Sequence, residues 1–240
     1  MDFKKVKRYV VLGILFFLPV TFLLFLYPAT HNYKPLDIVN ESILDLQQFT
    51  SDSNENILLE EHITVLGFLG ENPMDYVIAA SNLKELMYDK FKGFKKFQIV
   101  IVVPDGTQKL TEELKKEINS YEDIRFWHFV YAQPLAIKKL YNSLKCNAPL
   151  NESLATNSVF IIDKDLNQRG RIDDRTDNEI AKNKAIHGLN AYDCIEVAEI
   201  KNKMSEDMRI LFTEYRQKRK GDFDSTTRRA NDLKEQDEEN

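Results

Sequence analysis

Sulfur is scarce in this chain. Among 240 residues there are two cysteines, Cys146 and Cys194, and five methionines. Two cysteines are too few for a disulfide scaffold, and they lie too far apart for a CxxC redox or zinc motif. A strong charge of one sign is also lacking, because 33 basic residues face 38 acidic ones and the formal net charge is -5. That excludes the basic footprint of a nucleic-acid-binding protein. No internal repeat is present. With 43% hydrophobic and 30% charged residues, the composition is that of an ordinary globular chain.

One long apolar run is present. Residues 9–27, YVVLGILFFLPVTFLLFLY, contain no charge, and a helix needs roughly 20 apolar residues to cross a bilayer core. Lys4, Lys5, Lys7 and Arg8 precede the run, and few charges follow until Lys34. The positive-inside tendency therefore places residues 1–8 in the cytoplasm and everything after the anchor on the extracytoplasmic, periplasmic side. Pro19 falls in mid-span, where a transmembrane helix tolerates it. A cleaved signal peptide is the alternative, but its apolar core would be shorter, and Pro28-Ala29-Thr30-His31 is a poor cleavage site. Both readings put the cysteines where oxidation is open to them.

Residues 28–41 read as a tether, 42–219 as one domain, and 220–240 as a polar, disordered tail. Within the domain, residues 42–49 alternate apolar and polar side chains and predict a strand, as do residues 57–61. Residues 62–69 (HITVLGFL) and 97–103 (FQIVIVV) are continuous β-branched runs of the kind that become buried central strands. Between them a helix is predicted over 73–92, with Asn72 as its cap, Pro73 at its first position and Asp75 in its first turn. Further on, helices are predicted at 108–120 and 136–145, and a strand at 125–132 (RFWHFVYA). A strand at 158–162 turns back antiparallel at 169–173. Residues 174–184 read as a charged loop, and a long helix covers 197–219 with Ile200, Met204, Met208, Leu211 and Tyr215 inward. Strands that alternate with helices favour parallel pairing with right-handed crossovers, and the closing hairpin adds antiparallel edges. The predicted fold is therefore an α/β, thioredoxin-like three-layer sandwich behind an N-terminal transmembrane helix.

Four features together resemble the SCO/SenC proteins: the N-terminal anchor, the strand-turn-helix of residues 62–92, the segment Phe126-Trp127-His128-Phe129, and the hairpin of residues 158–171 with FIIDKDLNQRGR at its centre. The C-terminal helix (KMSEDMRILFTEYR) is also like those of bacterial members, and the similarity spans residues 62–215. These are membrane-anchored, thioredoxin-like factors that help deliver copper to cytochrome c oxidase. The resemblance implies a partner in the respiratory membrane. It also implies a copper site made from a CxxxC pair in the turn after the first core strand and a histidine ahead of the hairpin, two soft thiolates and an imidazole. This chain departs from that pattern. Its turn reads Gly70-Glu71-Asn72-Pro73-Met74-Asp75, and its pre-hairpin segment reads Asn151-Glu152-Ser153-Leu154-Ala155-Thr156-Asn157. All three ligands are missing, so no catalytic residue, metal ligand or cofactor is carried over. Thioredoxin redox chemistry is excluded with them, since a helix N-terminus activates only a thiol that is there.

The remaining candidates each have a plain structural alternative. Cys146 and Cys194 are a candidate disulfide, or two separate thiols. Met74 with His62 and His128 is a conceivable Cu(I) set, or a packed thioether and two hydrogen-bonded strand histidines. Glu71 and Asp75 are a candidate carboxylate pair, although the helix dipole already explains Asp75. The charged loop of residues 169–184 is a docking surface or a solvated loop with weak ion pairs. The basic cluster of residues 216–220 is a membrane contact or a helix C-terminus with its favoured cations. The expected protein is a non-enzymatic membrane-anchored module that binds an unidentified membrane or respiratory-complex protein. An unconventional copper or redox chaperone and a structural subunit of a membrane complex are the other readings.

Overall fold

The continuous apolar runs form the centre of a mixed eight-stranded sheet. The structure is a computed structural model that describes residues 3–26, 35–52, 55–119 and 124–220, and in the N-terminal helix the side chains of residue 7 and residues 11–22. Strands β3 (Ile63–Phe68), β4 (Phe97–Pro104) and β5 (Trp127–Ala132) are parallel, with Val65 opposite Ile99 and Ile101 opposite Phe129. Strand β6 (Ser158–Ile162) runs antiparallel to β3, and β7 (Gln168–Gly170) folds back on β6. Three short strands complete the sheet: β1 (Asp37–Asn40) on β7, β2 (Thr50–Ser51) on β5, and β8 (Tyr192–Asp193) on the first residues of β6. The main order is β1-β7-β6-β3-β4-β5-β2. The βαβ unit followed by a β-hairpin and a final helix is a thioredoxin-like α/β arrangement.

Side chains alternate across a strand, and here they divide the core in two. Ile63, Val65, Ile99, Ile101, Trp127, Phe129 and Ile161 point to one face. Leu66, Phe68, Val100, Val102, Val130, Phe160 and Ile162 point to the other. The first face is covered by α2 (Val77–Leu83), α3 (Asp89–Phe91), α4 (Gln108–Ile118) and α7 (Ser205–Lys220). The second is covered by α5 (Pro134–Asn142) together with Ile43, Leu46, Ile57 and Leu59. Strands buried on both faces need no alternating pattern, which is why β3 and β4 read as continuous runs.

The helix predicted over 73–92 is a composite. It opens with a 3-10 turn (Pro73–Tyr76), continues through α2, widens into a π segment (Lys84–Tyr88) and ends in α3. A second π segment (Glu199–Met204) leads into α7. Three predicted elements differ from the structure. Residues 42–49 are not a strand: Ile43 and Leu46 plug the second face, while the Asp45 carboxylate accepts the Leu59 amide at 2.7 Å. The strand of that region is β1, inside the stretch read as tether. Residues 57–61 are likewise irregular, although Ile57 and Leu59 are buried. The stretch read as a charged loop contains a short helix, α6 (Asp177–Ala181), started by a capping box between Thr176 and Glu179. The structure also shifts some ends: β5 starts at Trp127 and α5 at Pro134. Residues 28–34 of the tether and 221–240 of the tail lie outside the described residues.

In the N-terminal unit, residues 1–34, the described residues form the helix α1 (Phe3–Leu26), with Pro19 inside it. The Thr21 hydroxyl donates to the Phe17 and Leu18 carbonyls at 2.9 and 3.0 Å. Among the described residues no helix is long and apolar enough to cross a membrane.

Candidate functional site

The turn after β3 is held shut by its own backbone. Gly70 has φ +65, and a Cβ there would lie 2.1 Å from the Ser153 carbonyl oxygen, so glycine is required on both counts. The Glu71 amide donates to that same Ser153 carbonyl at 3.0 Å, and the Thr156 amide donates to the Phe68 carbonyl at 3.0 Å. Asn151 completes the latch. Its side-chain nitrogen donates to the Tyr76 hydroxyl at 2.9 Å, while its oxygen accepts the Ala155 amide at 2.8 Å and the Ser153 hydroxyl at 2.9 Å. The structure therefore brings residues 70–76 against residues 151–156. The meeting side chains are amides, hydroxyls and a phenol.

The individual turn residues play structural parts. Asn72 makes no side-chain cap, and its carbonyl accepts the Asp75 amide at 3.1 Å. Pro73 is buried, and Met74 packs on the first core. Glu71, Asn72 and Asp75 face solvent, so the desolvated setting that tunes a catalytic carboxylate is missing there.

The Met74, His62 and His128 set is not assembled. His62 stands just before β3 and bonds the Glu60 carbonyl at 3.0 Å, whereas Met74 lies beyond the far end of that strand. At about 3.3 Å per residue, the strand separates them by roughly 20 Å. Among the described residues no group of three or more His, Cys, Asp or Glu side chains is arranged to hold a metal ion.

Of the two alternatives for Cys146 and Cys194, the structure has them as separate free thiols. Cys194 is 1% exposed and belongs to the first core, while Cys146 packs against the second. The sheet stands between them, and a disulfide needs Cα atoms within about 7 Å. Burial pushes the Cys194 thiol well up, and the Asp193 charge adds to this. Its carbonyl accepts from the Asn82 side chain at 2.8 Å. Asn82 lies eight positions past Met74 on the same composite helix, about 12 Å along at 1.5 Å per residue.

The charged stretch from Arg169 onward behaves differently from a solvated loop. Arg169 is 3% exposed. It donates to Asp163 at 3.0 Å, to Glu214 at 2.6 Å and to the Leu36 carbonyl at 2.6 Å, while its Nε has no partner among the described residues. Burial alone pulls the guanidinium down, but the Glu214 and Asp163 charges outweigh this and leave it raised. Glu214 also holds Lys218 at 3.0 Å. Arg171 grips both oxygens of the buried Asp207, at 3.0 and 2.9 Å among others, and the Tyr192 hydroxyl donates to Asp207 at 2.7 Å. Arg175, in contrast, pairs with Asp173 at the surface, and the hydrogen bonds from Arg175 hold the Asp173 carboxyl at about 2. These pairs pin the hairpin to α7. The sequence carried a signal for this: Asp207 and Glu214 flank the apolar stripe of α7, and acids on an inward face call for buried cations.

The class defined here is a thioredoxin-like α/β domain whose turn after β3 holds no cysteine. No family model matches the chain, and no curated protein matches it. Among solved structures it is similar to a SCO1/SenC family lipoprotein from Bacillus anthracis, with 18% identity, a TM-score of 0.47, and 74% of this chain and 97% of that one covered. It is also similar to copper-bound ScoI from Bradyrhizobium japonicum, with 12% identity, a TM-score of 0.38, and 72% and 100% covered. A third is the thioredoxin domain of a thiol-disulfide oxidoreductase from Bacteroides vulgatus, with 16% identity, a TM-score of 0.38, and 62% and 100% covered.

Proposed function

We propose that this chain is a membrane-anchored thioredoxin-fold module that works by binding rather than by thiol or copper chemistry, in the assembly of a respiratory complex of the cytochrome c oxidase type. The observation that carries the binding role is the turn itself: it holds no cysteine, Gly70 and Asn151 fix its backbone against residues 153–155, and Met74 packs on the core. The assembly role rests on the SCO/SenC resemblance of the sequence.

Anchoring is supported by α1, on which Val11, Leu12, Ile14, Leu15, Phe16, Phe17, Leu18, Val20 and Phe22 are all exposed. Residues 11–22 of α1 carry no charge, and such an apolar surface belongs in a core or a bilayer. The domain then stands on the extracytoplasmic side, with its N-terminus in the cytoplasm.

Purified protein is expected to show no disulfide-reductase turnover with insulin and no stoichiometric copper after dialysis. Affinity capture of the full chain from membranes solubilised in mild detergent is expected to recover respiratory-complex subunits. Turnover, or copper retention lost on Met74→Ala, overturns the binding-only reading; capture without respiratory subunits overturns the assembly role.

A further inference from the structure

A cleft of about 940 Å³ lies at the end of the sheet opposite the closed turn, where β3 and β4 begin. Five cations line it: Lys95 from the link between α3 and β4, Lys164 from the β6–β7 turn, and Arg216, Lys218 and Arg219 from α7. The lining acid is Asp165, which accepts from the Tyr215 hydroxyl at 3.1 Å. The Tyr215 ring carries the ammonium groups of Lys164 and Lys218 at 5.1 and 4.9 Å from its centre. Beside it Phe94, 40% exposed, stacks on Phe212 at 4.2 Å. A helix-dipole preference explains the α7 cations alone. It does not explain why Lys95 and Lys164, from two other elements, meet them over a floor of aromatic rings.

We propose that this cleft is the face by which the domain rests on phosphate-bearing lipid headgroups. The inference rests on the membrane-anchor reading above. Lysine and arginine side chains pair with phosphate oxygens, and amphipathic aromatic rings sit at headgroup level. The point of chain entry supports the placement. Arg169 holds the Leu36 carbonyl and Glu214 with the same nitrogen, and Glu214 holds Lys218 of the cleft wall. Between the apolar run and Leu36 the chain spans at most about 30 Å when extended. The cleft therefore lies beside the point at which the chain enters the domain. Lys95, Arg216 and Arg219 are exposed, so their flexible arms can follow mobile headgroups.

The test uses the full chain in nanodiscs of phosphatidylcholine alone or of an equal mixture with phosphatidylglycerol, and measures lysine acetylation rates by mass spectrometry. Lys95, Lys164 and Lys218 are expected to react several-fold more slowly on the anionic discs, with the protection lost at high salt. Lys109 and Lys138, exposed on α4 and α5, should keep their rates. The double variant Lys95→Glu with Lys164→Glu should remove the protection of Lys218. Equal rates on both discs overturn the proposal. Protection on neutral discs by inorganic phosphate (a free-anion site) overturns it too, as does protection by a soluble poly-glutamate peptide alone (an acidic protein partner). Failure of the anchor is read separately, as loss of the chain from both kinds of disc on alkaline carbonate washing.

Discussion

The two ends of the β3–β4 pair differ in kind. At the carboxyl end, where ligands of open α/β sheets ordinarily bind, the chain meets itself through neutral bonds: Glu71 to Ser153, Thr156 to Phe68, Asn151 to Tyr76. At the amino end, a buried cation ties together Leu36, Asp163 and Glu214, and five further cations surround a cleft. The contrast teaches that a scaffold and its chemistry separate cleanly. The turn and its facing loop hold their mutual geometry through backbone hydrogen bonds and a left-handed glycine, and neither depends on a thiol.

The sharpest way to break the comparison is to remove the charge at the amino end. Arg169→Met takes the buried cation from Asp163 and Glu214, leaving Glu214 with Lys218 at the cleft wall, and such a loss costs roughly 3–5 kcal/mol. For a domain of this size that lowers Tm by on the order of 10 °C, measured by calorimetry. A fall of less than about 2 °C would mean that the buried pairs are not what fastens α7 to the hairpin. Gly70→Ala strikes the other end. Its left-handed φ disfavours alanine by about 1–2 kcal/mol, and the added Cβ meets the Ser153 oxygen at 2.1 Å. The total expected is about 2–4 kcal/mol in urea unfolding, smaller than the Arg169 loss. A neutral Gly70→Ala would show the latch to be loose.

The same two ends differ in how far the sequence announced them. The central strands were legible because burial on both faces leaves a continuous apolar run, as in residues 97–103. The turn was legible because Pro73 at a first helical position and Asp75 in a first turn mark a helix start just after an apolar strand, whereas the left-handed φ of Gly70 was not read there. The short edge strand β1 was not: its DIVN sequence is half polar, while the alternation of residues 42–49 imitates a strand. Those residues are instead a plug, with Ile43 and Leu46 buried and Asp45 turned onto Leu59. The buried Arg169 was the furthest from view. Its partner Glu214 stands 45 residues away, and although an inward-facing acid on α7 calls for a buried cation, no local pattern picks Arg169 out of the other arginines. The cleft has the same cause, since its cations are gathered by topology from three separate elements.

A milder probe acts on β5, near the amino end. Burial lowers the pKa of His128; the Glu55 charge opposes this, and the charges of His62 and Lys115 reinforce it. The folded value therefore lies below the unfolded one, and the unfolded chain binds the extra proton between the two. Stability from this residue is complete above the ordinary histidine range and declines as pH falls through it. Thermal unfolding followed from pH 7.5 to pH 5.5 should show a downward slope that is shallower in His128→Gln. Parallel slopes would exclude His128 as a contributor.

The smallest expected effect concerns the thiols, and it compares the two faces of the sheet rather than its two ends. An extracytoplasmic location favours oxidation, and a bond between Cys146 and Cys194 would close a long loop worth about 4 kcal/mol in the chain-entropy model. Geometry opposes that pressure, because Cys194 lies in the first core and Cys146 against the second. Reductant should therefore leave Tm unchanged, where a bonded pair would lose on the order of 10 °C. Thiol titration should find Cys146 reactive in the folded chain and Cys194 reactive only after unfolding, as its burial and raised thiol pKa require. If both thiols are missing from a non-reduced sample, the two faces must exchange partners on oxidation, and the separation of Cys146 from Cys194 by the sheet fails.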